Sequence, residues 1–579
     1  MKPFVCHAIQ THEGKVLAAP SPRLRKLFVV PSRHSAFAYH SFAWVTGIFR
    51  ELLFVGKRSL SAPRSCYQAH RPKPNDWEKL NTTVEGNLHV HIPPEAVCHN
   101  TFNAKCAELS AIYTDEQWSY FTNSTCQPTE NPEESCTLGN YGVYVIQATT
   151  KQHIKAGIDY ARVNNLRLII RNTGHDFIGR STGWGALIIN THSFQDITFA
   201  EQWTGPGDYS GGAVTLGAGV QGRALLRAAN AQDPPVVVVT GECPTVGVAG
   251  GLVGGGGHGP LTTLHGMTAD NALEFEAITA EGEYVKANAD ENPDLFFGLK
   301  GGGPSSYAIV TSVTFRTYPE EKAAGGVLYV NGTSGANETT GLYVYFELGS
   351  MMLTVQPFVA IGKTQGELDA IIKPMLDELK ANNIPFESST KGFGTFFALY
   401  TDLFQDEQAG TQALAGGWMF SHTDVEKRND QIVDAFKTVA TPREGLAGFM
   451  VGHLWNAGHG WPVANSATHP AFRNATDFII SVIPVLYGAS LEEKADLQNV
   501  LTNIQDEALR QAGPDGCTYV NEADPFQPNW QDAFWGPVYP TLLELRKKWD
   551  PNGIFYAVAT PGTEDWEEIE YNTRLCKKL

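Results

Sequence analysis

Residues 171–181 read Arg-Asn-Thr-Gly-His-Asp-Phe-Ile-Gly-Arg-Ser, and residues 241–251 read Gly-Glu-Cys-Pro-Thr-Val-Gly-Val-Ala-Gly-Gly. Each stretch is a glycine-rich turn that follows a short apolar run, residues 166–170 in one case and 236–239 in the other. Such a run reads as a buried strand, and glycine beyond it lets backbone approach a ligand closely. The first turn carries an imidazole, His175, and the second a thiol, Cys243. Both are nucleophiles able to bond an electron-poor ring, and a ring held at two points cannot be lost. Each also has a plainer explanation: a loop histidine bonded to Asp176, or a buried thiol acting as a small hydrophobe. The pair, with its flanking residues, favours the cofactor reading.

Both segments resemble the berberine bridge enzyme-like branch of the vanillyl-alcohol oxidase family of FAD-linked oxidoreductases. In that branch a histidine in a Gly-His-Asp loop bonds the 8α carbon of FAD. A cysteine in a Gly-x-Cys-Pro-Thr-Val-Gly loop bonds position 6 of the ring. The resemblance implies these roles for His175 and Cys243. It runs from roughly Asn140 to Pro319 and resumes from Tyr519 to about Tyr556. There, Asn521-Glu522-Ala523-Asp524-Pro525 and Phe534-Trp535-Gly536 are similar to the fungal isoamyl-alcohol-oxidase-like group. The implied fold is α+β: a two-subdomain FAD-binding domain of the PCMH type, with an antiparallel-sheet substrate domain over the flavin.

The resemblance also implies that Arg171, Asn172, Thr173, Gly174 and Asp176 touch FAD, as do Val246, Gly247, Gly250, Gly251 and His258. Successive backbone amides in such loops can form an anion-binding nest for the pyrophosphate. In the family, a valine three residues after the cysteine, here Val246, goes with reaction of the flavin with oxygen. Tyr519-Val520-Asn521 fits the Tyr-x-Asn in which the tyrosine lies over the flavin as acid/base. Its ordinary pKa near ~10 means that a basic role needs help, and the nearby acids Glu522 and Asp524 would work against it. His265 and His453 carry no motif. Trp535 and Tyr539 read as packing residues. No histidine pair has metal-ligand spacing with a supporting carboxylate, so no metal is expected. The run Gly254 to Gly257 lacks the dinucleotide-binding spacing.

The 579-residue chain is too long for one core. With 42% hydrophobic and 18% charged residues it has an ordinary globular composition. A formal net charge of −18 argues against nucleic acid. Residues 1–65 hold ten Lys/Arg against two acids, the pattern of a targeting or processed leader. Tyr39, His40 and Ser41 interrupt its best apolar stretch, so a secretory signal, a mitochondrial presequence and a start further downstream all stay open. No run reaches the ~18 apolar residues of a membrane span. Five of nine cysteines cluster at Cys66, Cys98, Cys106, Cys126 and Cys136, as disulfides of an oxidising compartment do, and Cys243 stands apart from them. Sequons at Asn81, Asn123, Asn331, Asn337 and Asn474 point the same way. The expectation is a secreted, disulfide-bonded glycoprotein.

The chain divides into a leader (1–65), a cysteine-rich irregular segment (66–139), the FAD-binding domain (140–319), the substrate domain (320–515) and a C-terminal return to the FAD domain (516–579). Between 140 and 319 the patterns predict strands at 141–148, 166–171, 186–190, 213–218, 236–240 and 307–318. Helices are predicted at 155–165 and 223–231, and a hairpin turns at Glu281-Gly282. Further on, apolar stretches at 351–361 and 478–486 alternate with helices at 368–380 and 491–512. A helix at 540–549 precedes an Asp550-Pro551-Asn552-Gly553 turn.

Together these imply an FAD-linked oxidase. A small-molecule substrate, whether alcohol, sugar or secondary metabolite, gives hydride to the flavin, and oxygen leaves as hydrogen peroxide. Two alternatives stand beside it: oxidative cyclisation or desaturation in secondary metabolism, and a non-catalytic secreted flavin-binding relative.

Overall fold

The computed structural model describes residues 66–67, 72–99, 106, 126, 133, 135–139, 141–330, 342–350, 352–404, 413–458, 465–486, 489–569 and 574–578. The leader and the sequons at Asn123, Asn331 and Asn337 lie outside them.

A four-stranded sheet is ordered Leu88–Val90, Tyr144–Gln147, Leu187–Asn190, Leu168–Arg171, with the last three parallel. Helix Lys151–Asn164 packs on it. Its first turn is capped by the Thr150 hydroxyl accepting from the His153 amide, and Asn165 closes it at φ 50°. Ile154, Gly157, Ile158 and Ala161 are buried on one helical face. A Cβ on Gly157 would stand 2.7 Å from Ile189 and 2.8 Å from Ile146, so the missing side chain sets how closely helix and sheet approach.

A five-stranded antiparallel sheet is ordered Tyr284–Asn288, Ala272–Thr279, Ala308–Arg316, Ala213–Gly217, Ile197–Ala200. The hairpin turns through Gly282 at φ 80°, as its sequence predicts. The strand predicted at 236–240 shrinks to Val236–Val237, paired with Tyr318–Pro319. Val238 and Val239 are apolar because they are buried by packing, without a ladder partner.

A seven-stranded antiparallel sheet is ordered Phe386–Phe393, Ala323–Val330, Leu353–Ile361, Tyr343–Gly349, Phe449–Leu454, Ala475–Pro484, Ala413–Ser421. Helices Gln365–Ala381, Asn429–Ala440 and Leu491–Val500 accompany it. Sheets and helices together make an α+β fold.

Residues 66–139 are less irregular than their composition predicts. Helix Pro74–Thr83 sends Leu80 into the core of the first sheet, alongside Val84 just beyond its end. Disulfides join Cys98 to Cys106 and Cys126 to Cys136. Cys576 is also disulfide-bonded and faces Cys66 in strand register. No helix among the described residues is long and apolar enough to cross a membrane.

The chain after residue 516 runs back across the molecule. The Met419 amide donates to the Cys517 carbonyl at 2.7 Å. Trp535 Nε1 donates to the Gly301 carbonyl at 3.0 Å, which joins this segment to the loop after helix Pro293–Leu299.

Candidate active site

One cleft, with about 1430 Å³ of empty space that includes its open mouth, gathers both quoted loops. The parallel strand Leu168–Arg171 leads into it, and neighbouring strand residues face opposite sides. Ile170 therefore lines the cleft, and Arg171 is not among the lining residues. Its charge instead helps to lower the pKa of His91, second to burial. Asn172, Thr173, Gly174, His175 and Asp176 line the cleft, as do Cys243, Val246, Gly247, Gly250, Gly251, His258 and Tyr519.

The two loops are bonded to each other. His175 Nε2 lies 2.9 Å from the hydroxyl of Thr245. Burial lowers the pKa of His175 to about 4, against a smaller opposing effect of Thr245, so the imidazole is neutral near pH 7. Glycines allow the close approach: a Cβ on Gly247 would stand 2.6 Å, and one on Gly250 3.0 Å, from Asn172 Nδ2. The buried Asn172 Oδ1 has no hydrogen-bond partner among the described residues. Cys243 is disulfide-bonded. The expectation that Cys243 stands apart from the disulfides is thereby corrected.

The C-terminal return forms a further wall. Asp176 Oδ1 accepts from the amides of Ile178 and Arg180 at 3.1 and 2.8 Å, and its Oδ2 from Arg180 Nε at 2.6 Å. Arg180 Nη2 reaches the Val520 carbonyl at 3.0 Å and Asn521 Oδ1 at 2.8 Å. Asn521 Nδ2 then donates to the Gly251 carbonyl at 2.8 Å and to the Tyr519 oxygen at 2.6 Å. Burial, then the Glu522 charge, push the Tyr519 phenol far above its ordinary value, while Asn521, Arg180 and the Gly257 backbone act against them. Tyr519 is thus a protonated phenol. Asp524, by contrast, bonds Gln498 and Thr502.

The seven-stranded sheet supplies Tyr343 and His453, which no motif announces. The Tyr343 hydroxyl donates to the Glu242 carboxylate, and Tyr400 donates to the Glu242 carbonyl at 2.9 Å. His453 Nε2 lies 3.8 Å from Glu242 Oε2, and His258 Nε2 lies 3.2 Å from Glu522 Oε2. Burial, then His258, hold His453 well below the ordinary histidine range. Glu242 and Arg180 sit inside the quoted loops, where their residue types could have flagged them. His453 lies on an apolar strand that reads as core. His265 stacks on Tyr318 at 3.7 Å and does not line the cleft.

The FAD binding domain family matches residues 143–288, and the berberine and berberine-like family matches residues 518–558. The FAD-linked oxidoreductase ZEB1 of Gibberella zeae is 34% identical over 544 residues, covering 87% of this chain and 93% of the relative. The bifunctional decalin synthase calF of Penicillium decumbens is 30% identical over 550 residues, covering 87% and 94%. The crystal structure of the VAO-type flavoprotein MtVAO615 from Myceliophthora thermophila C1 matches with a TM-score of 0.78 at 28% identity, covering 87% of this chain and 98% of that one. The chain belongs to the berberine bridge enzyme-like FAD-linked oxidoreductases of the vanillyl-alcohol oxidase family.

Proposed function

We propose that this enzyme is an oxidase that removes two electrons from a hydroxyl-bearing small metabolite and passes them to oxygen, giving hydrogen peroxide. FAD, bonded to His175 and Cys243, supplies the two-electron acceptor. The observation that carries this reading is the neutral His175, fixed through Nε2 to Thr245 on the Cys243 loop. A neutral imidazole keeps a lone pair for bonding, and with Nε2 engaged, Nδ1 is the nitrogen left for the flavin. The glycine-rich walls and the unpartnered Asn172 Oδ1 suit a long, hydrogen-bonding cofactor.

Cys243 can form a thioether only when its disulfide is open, so the two states exclude each other. Tyr519, as a phenol, can donate to a substrate oxygen and orient it. Val246 lines the cleft, where a small side chain supports access for oxygen. The name of the decalin synthase relative favours one second reading, in which oxidation is followed by ring closure. The disulfides support a secreted protein. Asn474 is exposed and open to glycosylation, whereas the Asn81 side chain accepts from the Leu88 amide at 3.2 Å.

Peptide masses after acid precipitation, taken with a visible spectrum, test the reading. One FAD cross-linking the His175 and Cys243 peptides is the expected result. Flavin on the His175 peptide alone would remove Cys243 from the proposal. Colourless protein with no flavin peptide would overturn it.

A further inference from the structure

We infer that His453, oriented by Glu242, takes the substrate's hydroxyl proton, the role that the Tyr-x-Asn motif offers to Tyr519. The inference rests on the oxidase reading above and concerns how the same cleft moves the proton.

Three separate parts of the chain converge here. His453 comes from strand Phe449–Leu454, Tyr343 from the neighbouring strand Tyr343–Gly349, and Glu242 from the position just before Cys243. His453, Glu242 and Tyr519 all line the cleft. Among them, the capacity to accept a proton is unequal. A phenol can take a proton only after losing its own, and burial and Glu522 keep the Tyr519 proton in place. A neutral imidazole offers a lone pair at once.

The orientation of that imidazole follows from its neighbours. The Glu242 carboxylate, 3.8 Å from Nε2, is too far for a hydrogen bond but close enough to favour hydrogen on Nε2. Nδ1 is then the acceptor, and it is buried with no hydrogen-bond partner among the described residues. Tyr343 donates to Glu242 and so favours the carboxylate form. The rings of Tyr345 at 5.4 Å and of Trp455 and Phe478 at 6.1 Å fix the imidazole in place. The titratable groups around it are His258, with its ring 5.2 Å away, Glu242, Tyr343 and Tyr345, the last bonded to Glu347. Glu522 lies behind His258. Of the two carboxylate–histidine pairs, His453 with Glu242 is the more deeply buried: their side chains are 1% and 8% exposed, against 7% and 26% for His258 with Glu522. A proton arriving on His453 therefore meets the less screened carboxylate.

The step balances. The substrate C–H bond breaks and its electron pair and hydrogen go to FAD. The O–H bond breaks, its proton goes to His453 Nδ1, and a C=O bond forms. Oxygen then takes the two electrons and two protons, one of them from His453, to give hydrogen peroxide.

Nitrogen-15 imidazole spectra of the purified full-length protein test the orientation, with the ring assigned by difference against His453→Gln. The expected ring carries hydrogen on Nε2 and an unprotonated Nδ1 from pH 5 to 8, and Glu242→Gln weakens that preference. A ring with hydrogen on Nδ1 overturns the inference. In anaerobic flavin reduction by a panel of primary and benzylic alcohols, His453→Ala is expected to be slower by roughly 10²–10³-fold, with partial rescue by added imidazole. Undiminished reduction in His453→Ala overturns the assignment alone. A wild type that holds FAD and is reduced by no alcohol overturns the oxidase reading itself.

Discussion

At Tyr519, burial changes what a motif can do. The Tyr-x-Asn spacing marks a group placed for proton transfer, and the fold then removes its water and sets Glu522 beside it, both of which keep the proton on. What remains is a donor whose oxygen is held by Asn521. Losing one neutral hydrogen bond costs about 1 kcal/mol, or somewhat under tenfold in rate. Tyr519→Phe is therefore expected to slow anaerobic flavin reduction by no more than about tenfold, with the flavin still attached. A loss in Tyr519→Phe that exceeds the loss in His453→Ala would return the base role to the tyrosine. The residue type and spacing at Tyr519 were legible in the chain, whereas its protonation state depends on neighbours up to hundreds of positions away, such as Arg180.

At the scale of elements, regular patterns were legible where one strand or helix has one environment. The helix on the first sheet, the hairpin through Gly282 and the strand ahead of His175 all follow their periodicity. Most of the seven-stranded sheet did not announce itself, because its inner strands are largely buried on both faces and lack alternation; Ala413–Ser421 is buried throughout. Gly157 shows how tightly the elements then fit. Gly157→Ala gains helix propensity but drives a methyl into Ile146 and Ile189. The overpacking is expected to dominate and cost about 1–3 kcal/mol, read as a lower midpoint in urea denaturation. An unchanged or higher midpoint would show that the sheet yields.

For the whole molecule, buried titratable groups make stability depend on pH in two opposed ways. His175 and His265 are lowered to about 4, chiefly by burial. Their contribution is present above the ordinary value near ~6.5 and is lost as pH falls through about 4. Asp477 is raised to about 8 by burial. Its contribution is present below the ordinary value near ~3.9 and is lost as pH rises through about 8. Asp477→Asn is therefore expected to gain stability relative to wild type steadily as pH rises from about 4 to 8. Thermal melts across that range check it, and a difference independent of pH would show that Asp477 ionises normally in the fold. The sequence by itself determined the family, the α+β character and the two loops that meet at His175 and Cys243, because turns and nucleophiles are local in the chain. Only the tertiary structure decided which face Arg171 takes, that Cys243 lies in a disulfide, and that Glu242 and His453 line one cleft with Tyr343 bonded to Glu242. The meeting of Glu242, Tyr343 and His453 depends on packing between segments separated by a hundred residues or more, and no local pattern encodes that packing.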